Sequence, residues 1–166
     1  MDKRYLLMLL IIIVCCINLS IIVNNSDIVG SASIGVENYL FSVPEGFNLY
    51  ENDGHSVTIQ NKDNITMYIE TNLSNNDNYN SRLNYIENGT GDTILSKGTV
   101  SIENISVYTV YYRTSDNVNQ SAFYFEKDNE PFKIVASNFN YDNDRDLILD
   151  YSTFIIKSLK DNYKMG

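Results

Sequence analysis

The chain carries few groups with reactive chemistry. Its two cysteines, Cys15 and Cys16, both lie in an apolar run near the start. The polar remainder therefore has no disulfide, no thiol nucleophile and no thiolate metal site. The single histidine, His55, follows Asp53-Gly54 in a predicted turn, where a solvated surface role is expected. One histidine excludes a three-histidine zinc site. There is no phosphate-cradling Gly loop, no G-x-S-x-G and no H-E-x-x-H, so no recognisable catalytic motif is left. Carboxylate pairs such as Glu126 and Glu130, or Asp63 and Glu70, stand at no spacing that separates acid–base chemistry from ordinary turn charges. The expectation is a non-enzyme without a cofactor.

Basic residues are also scarce: 12 Lys and Arg face 21 Asp and Glu, a net charge of −9. Asp2, Asp27, Lys3 and Arg4 cancel within residues 1–33, so the rest carries all of it. An acidic domain repels phosphate backbones, and nucleic acid is not an expected partner.

What is present begins with a segment suited to a membrane. Lys3-Arg4 is followed by an uncharged stretch over 5–17, and apolar residues resume at Leu19, Ile21, Ile22 and Val23 around Asn18 and Ser20. That approaches the roughly 20 residues that span a hydrocarbon core. No Lys or Arg follows until Lys62, so the positive-inside rule puts the N-terminus in the cytoplasm and the domain outside. Two fates stay open: a retained single-pass helix, or a signal peptide cut near the small residues Gly30, Ser31, Ala32 and Ser33. Lipidation of Cys15 or Cys16 is disfavoured, because Val14 and Cys15 precede them where a small residue is needed. Asn-x-Ser/Thr sequons begin at Asn24, Asn64, Asn72, Asn88, Asn104 and Asn119, each an acceptor if the host glycosylates exported proteins.

The organisation that follows is a signal or anchor segment (1–23), a small-residue linker (24–38), a domain (39–161) and a tail (162–166). Within the domain, strands are predicted over 39–43 and 47–50, then a hairpin of 56–61 with 65–71. Tyr79, Leu83 and Ile86 recur at helical spacing over 79–88. Strands are predicted again over 93–97 with 99–102, 105–114, 121–127 and 132–139. A final helix carries the stripe Leu147, Ile148, Tyr151, Phe154, Ile155 and Leu159. Strands, helix, strands, helix, with hairpins throughout, predict an α+β fold: an antiparallel sheet covered by helices.

Three stretches resemble a known family. FSVPEGF (41–47), KGTVSIENISVYTVYYR (97–113) and STFIIKSLK (152–160) are similar, in order and spacing, to the PsbP-like and DcrB-like α/β/α sandwich of small exported proteins. Phe47 stands where that family often has Trp, and Asn104 where it often has Gly. The resemblance implies an accessory or binding role and supplies no catalytic residue. The Asn- and Tyr-rich composition also resembles short exported proteins of methanogenic archaea.

Two groups of residues are candidate sites. Asp142, Asp144 and Asp146 set oxygen ligands at alternate positions, as a calcium loop begins, but Leu147 and Thr153 replace the Gly and Glu it needs. Capping of the final helix by Asp142, Asn143 or Asp144 is the favoured role. Tyrosine is abundant, 13 residues against no Trp, and Tyr68, Tyr108, Tyr112 and Tyr124 fall on strands where they could share a face. Tyr suits contact with a protein or cell-envelope partner, having a rigid apolar body and a polar tip. The competing role is packing beneath a helix.

Overall fold

Alternation builds the sheet. In TMYIET, Met67 and Ile69 are 0% and 1% exposed while Thr66, Tyr68 and Glu70 turn to the other face, as a period of two requires. The computed structural model describes residues 28–35, 38–88 and 91–161. The opening segment (1–23), the Asn24 sequon and the tail (162–166) lie outside the described residues. No helix among the described residues is long and apolar enough to cross a membrane.

The element order is β1 (Ile28–Ile34), β2 (Tyr39–Pro44), β3 (Phe47–Asn52), β4 (Ser56–Asn61), β5 (Thr66–Thr71), α1 (Tyr79–Glu87), β6 (Thr93–Ile102), β7 (Ile105–Arg113), β8 (Asn119–Lys127), β9 (Glu130–Ser137), α2 (Tyr141–Ser158) and β10 (Lys160–Asp161). Seven strands form one antiparallel sheet in the order β3-β4-β5-β9-β8-β7-β6, and β1-β2-β10 form a second. The main core lies between the large sheet and a layer made of β1, β2 and α2. It contains Phe41, Phe47, Ile59, Met67, Phe123, Phe132, Ile148 and Ile155. A smaller cluster on the opposite face holds α1. The described residues thus form an α+β fold, mostly antiparallel sheet with two helices.

Tight turns set the register, and Asn makes them. The β6–β7 and β8–β9 hairpins turn on two residues each, Glu103-Asn104 (φ 47° and 68°) and Asp128-Asn129 (φ 54° and 64°). Positive φ at both positions is the type I′ geometry that matches strand twist. Asn tolerates it because its short polar side chain can bond locally.

Residues 28–34, expected as linker, instead form β1. It pairs with β2 through Ala32↔Phe41 and Ile34↔Tyr39, and Ala32 and Ile34 are 5% and 0% exposed. Small residues such as Gly30 and Ser31 carry little strand propensity. Pairing and burial decide this strand, and both come from outside the segment. β6 is likewise one strand with a bulge between Ile94 and Ser96, not two short ones.

α2 begins with a reciprocal cap. Asn140 Oδ1 accepts from Asp142 N at 3.0 Å, and Asp144 Oδ2 accepts from Asn140 N at 2.8 Å. The N-cap is therefore Asn140, two residues before the first of those expected, and Asp142 and Asp144 sit in the first turn, where the helix dipole favours negative charge. At the other end, Ile155 is 1% exposed but Phe154 only half-buried. Ile155→Ala is expected to cost about 2–5 kcal/mol, and Phe154→Ala clearly less. Denaturant melts of both variants check the facing of the helix.

A tyrosine-lined candidate interaction site

α1 lies on the face of the large sheet opposite α2. Its N-cap Asn78 accepts from Ser81 N at 3.0 Å. Its apolar residues are few: Ile86, with Tyr79 and Leu83, covers Val110, Tyr112, Ala122 and Tyr124. Polar ties supplement this small area. Arg82 donates to Tyr112 Oη, which is also bonded to Gln120 Oε1, and the guanidinium sits 4.7 Å from the Tyr112 ring centroid. In the segment leading into α1, Asp77 pairs with Lys133 of β9. Lys133 Nζ also lies 2.7 Å from Glu70 Oε2. Burial works against the Lys133 charge, but Asp77 and Glu70 outweigh it and hold its pKa above the usual value.

The tyrosine candidates divide on this face. Tyr108 and Tyr124 stand directly opposite each other on β7 and β8. Tyr79 joins them from the start of α1, its ring centroid 5.4 Å from Tyr108 and 6.3 Å from Tyr124. Tyr108 is 45% exposed, whereas Tyr124 and Tyr112 are buried. Tyr112 thus packs beneath the helix, as strand aromatics commonly do. Tyr68 points to the same face from β5, opposite Val135 of β9, and lies outside the Tyr79 group. A groove of about 710 Å³ opens beside Tyr108, lined also by Leu73, Asp77, Tyr79, Tyr124 and Glu126. Leu73, Asp77 and Tyr79 were not candidates from sequence, because their place depends on how the β5–α1 connection folds over the sheet.

The buried phenols make the fold sensitive to alkali. On the core face, Tyr111 packs edge-on to Phe123 and Tyr141, and its pKa is pushed up to about 12, chiefly by burial. Burial also raises Tyr112, against the pull of Arg82, and raises Tyr124 with help from Asp77. The unfolded chain releases phenolic protons near pH 10 that the folded chain keeps. Stability is thus full below about pH 10 and is lost as pH rises through about 12. Melts across that range are expected to show this fall, with a shallower slope for Tyr111→Phe.

Asp142, Asp144 and Asp146 do not form a cation site. Asp144 turns back into the cap, Asp146 Oδ1 lies 3.5 Å from exposed Arg145 Nε, and no cluster able to hold a metal occurs among the described residues. A helical first turn splays successive side chains, whereas a calcium loop wraps them inward. Of the sequons, Asn64, Asn72 and Asn104 are exposed with left-handed backbone, and Asn88 caps the end of α1. Asn119 starts β8, donating to Phe139 O and accepting from Arg113 Nε, both at 3.0 Å. A glycan there would attach to the same Nδ2 that donates to Phe139 O and would leave it a single hydrogen.

Neither a protein-family profile nor a curated protein matches the sequence. Solved structures do match in fold. The Ran-binding protein Mog1p of Saccharomyces cerevisiae is 10% identical, with a TM-score of 0.51 over 80% of this chain and 94% of that one. A protein of Bacteroides thetaiotaomicron is 12% identical, with a TM-score of 0.51 over 80% of this chain and 48% of its own. The cyanobacterial PsbP of Synechocystis (CyanoP) is 15% identical, with a TM-score of 0.49 over 81% and 93%. The chain is thus similar in fold to Mog1p: a helix-flanked antiparallel sheet. The archaeal resemblance gains no support from these organisms.

Proposed function

We propose that this chain is a non-catalytic, protein-binding accessory domain, and that it meets its partner through the tyrosine-lined groove beside α1. The observation that carries this is Tyr108, 45% exposed, lining a groove of about 710 Å³ with its ring tilted 31° against that of Tyr79. Rigid aromatic rings around a concave surface are the usual anchors of protein contacts. That Mog1p, of similar fold, is a Ran-binding protein by name is consistent with a recognition role. The lone exposed His55 and the absence of a reactive thiol in residues 17–166 support the non-catalytic part.

The same proposal places the domain outside the cell, tethered by residues 1–23. Lys3-Arg4 ahead of a near-spanning apolar run supports it. Protease added to whole cells should digest the domain while a peptide beginning at Met1 or Asp2 stays in the membrane fraction. For the groove, a photo-crosslinking residue at position 108 of the full chain in its native host should form one discrete adduct. The same residue at position 147, exposed on α2, should form none. Equal labelling at both positions, or none at 108, would favour a purely structural, glycosylated surface protein instead.

A further inference from the structure

The groove lies where the large sheet splits. β7 and β8 pair from Arg113↔Asn119 to Tyr108↔Tyr124, and there the ladder stops. Continuing the register would set Val107 against Phe125, Ser106 against Glu126 and Ile105 against Lys127. Instead, residues 105–107 pair only with β6, and residues 125–127 pair only with β9. Lys127 donates to Leu159 O at the end of α2, which ties the tip of β8 away from β7. The split is internal to the sheet, so two strand edges face each other, each about three residues or roughly 10 Å long.

The groove follows this split. Ile105, Ser106 and Tyr108 line it from β7, and Tyr124, Phe125 and Glu126 from β8. Val107 and Phe125 are buried on the core side, and Phe125 with Phe132 of β9 adds apolar surface to the lining. Main-chain N–H and C=O groups along such edges are templates for another strand. The charge is one-sided: Asp77 and Glu126 line the groove, and no Lys or Arg does among the described residues. Lys133 already matches Asp77, which leaves the exposed Glu126 facing whatever enters.

Resting on the binding role proposed above, we infer that the occupant is an extended segment of the partner protein. It adds main-chain hydrogen bonds to the open edge of β7 or β8, seats an apolar or aromatic side chain on Tyr79 and Tyr108, and sets a Lys or Arg beside Glu126. Strand addition of this kind draws affinity from the main chain and specificity from alternate side chains.

The test uses the full chain in detergent and a peptide of about nine residues alternating lysine with valine and tyrosine. Amide shifts are expected to be confined to residues around 79, 105–108 and 124–126. N-methylation of every second peptide nitrogen, made in both phases, should weaken binding about tenfold or more in one phase, the scale of a lost hydrogen-bond pair. Glu126→Lys should weaken the lysine peptide and favour its glutamate counterpart. Absence of binding, shifts elsewhere, or equal affinity of both N-methylated peptides would overturn strand addition. A discrete adduct at position 108 alongside any of those results would leave the groove as a contact face of another kind.

Discussion

Phe47→Ala is expected to lower the stability of the folded chain by about 3–5 kcal/mol. Phe47 is 1% exposed and is the first residue of β3, just after the turn at Gly46 (φ 82°). Its ring meets Tyr151 of α2 edge-on, with centroids 4.9 Å apart at 79°. One side chain therefore ties the edge strand of the large sheet to the long helix, at the corner where the chain passes from the small sheet to the large one. Alanine would leave a cavity beside Tyr151, between β3 and α2. Phe47→Leu keeps most of the volume and should cost less than about 1.5 kcal/mol. Denaturant melts decide it: a midpoint shift at unchanged slope reports stability alone. A loss below about 0.5 kcal/mol, the range of surface positions, would mean that β3 and α2 do not meet.

The second large effect concerns the start of the domain. A chain beginning at residue 24 is expected to unfold cooperatively. One beginning at residue 39, where periodicity places the first strand, should lose at least ~3 kcal/mol. The shorter chain lacks Ala32 and Ile34, both buried, and leaves β2 without the partner that covers one edge. It also lacks Gly35, whose φ of 69° lets the chain turn beside Thr71. Equal stability of the two chains would mean that β1 contributes nothing to the fold.

The contrast between β1 and β5 shows what the sequence makes legible. In β5 the alternation of Met67 and Ile69 with Thr66, Tyr68 and Glu70 is local, and it predicts both strand and core face. The same holds for Ile148 and Ile155 on α2, where the apolar stripe names the buried side. In β1 only Ser31 and Ser33 alternate with Ala32 and Ile34, too short a run of small residues to mark a strand, and Ala32 and Ile34 are buried because β2 and the large sheet lie there. The site divides the same way. Tyr108 and Tyr112 share a face by parity, and the structure keeps them on one face. Whether a ring is covered depends on where α1 crosses, and that placed Tyr112 under Arg82 while leaving Tyr108 open. The split between β7 and β8 is invisible in the sequence, because residues 105–107 and 125–127 alternate as ordinary strands do. The partners of the two tips lie elsewhere in the fold: residues 105–107 pair with β6, residues 125–127 with β9, and Lys127 bonds to the end of α2.

Single-residue amide hydrogen exchange across β7 and β8 of the unliganded chain tests that split most directly. Amides in residues 109–112 and 120–123 lie within the continuous ladder and should exchange slowly. Amides of residues 105–107 and 125–127 that face the gap should exchange fast, while those turned toward β6 and β9 stay protected. Uniform protection along both strands would show a closed sheet and contradict the groove as an open strand edge.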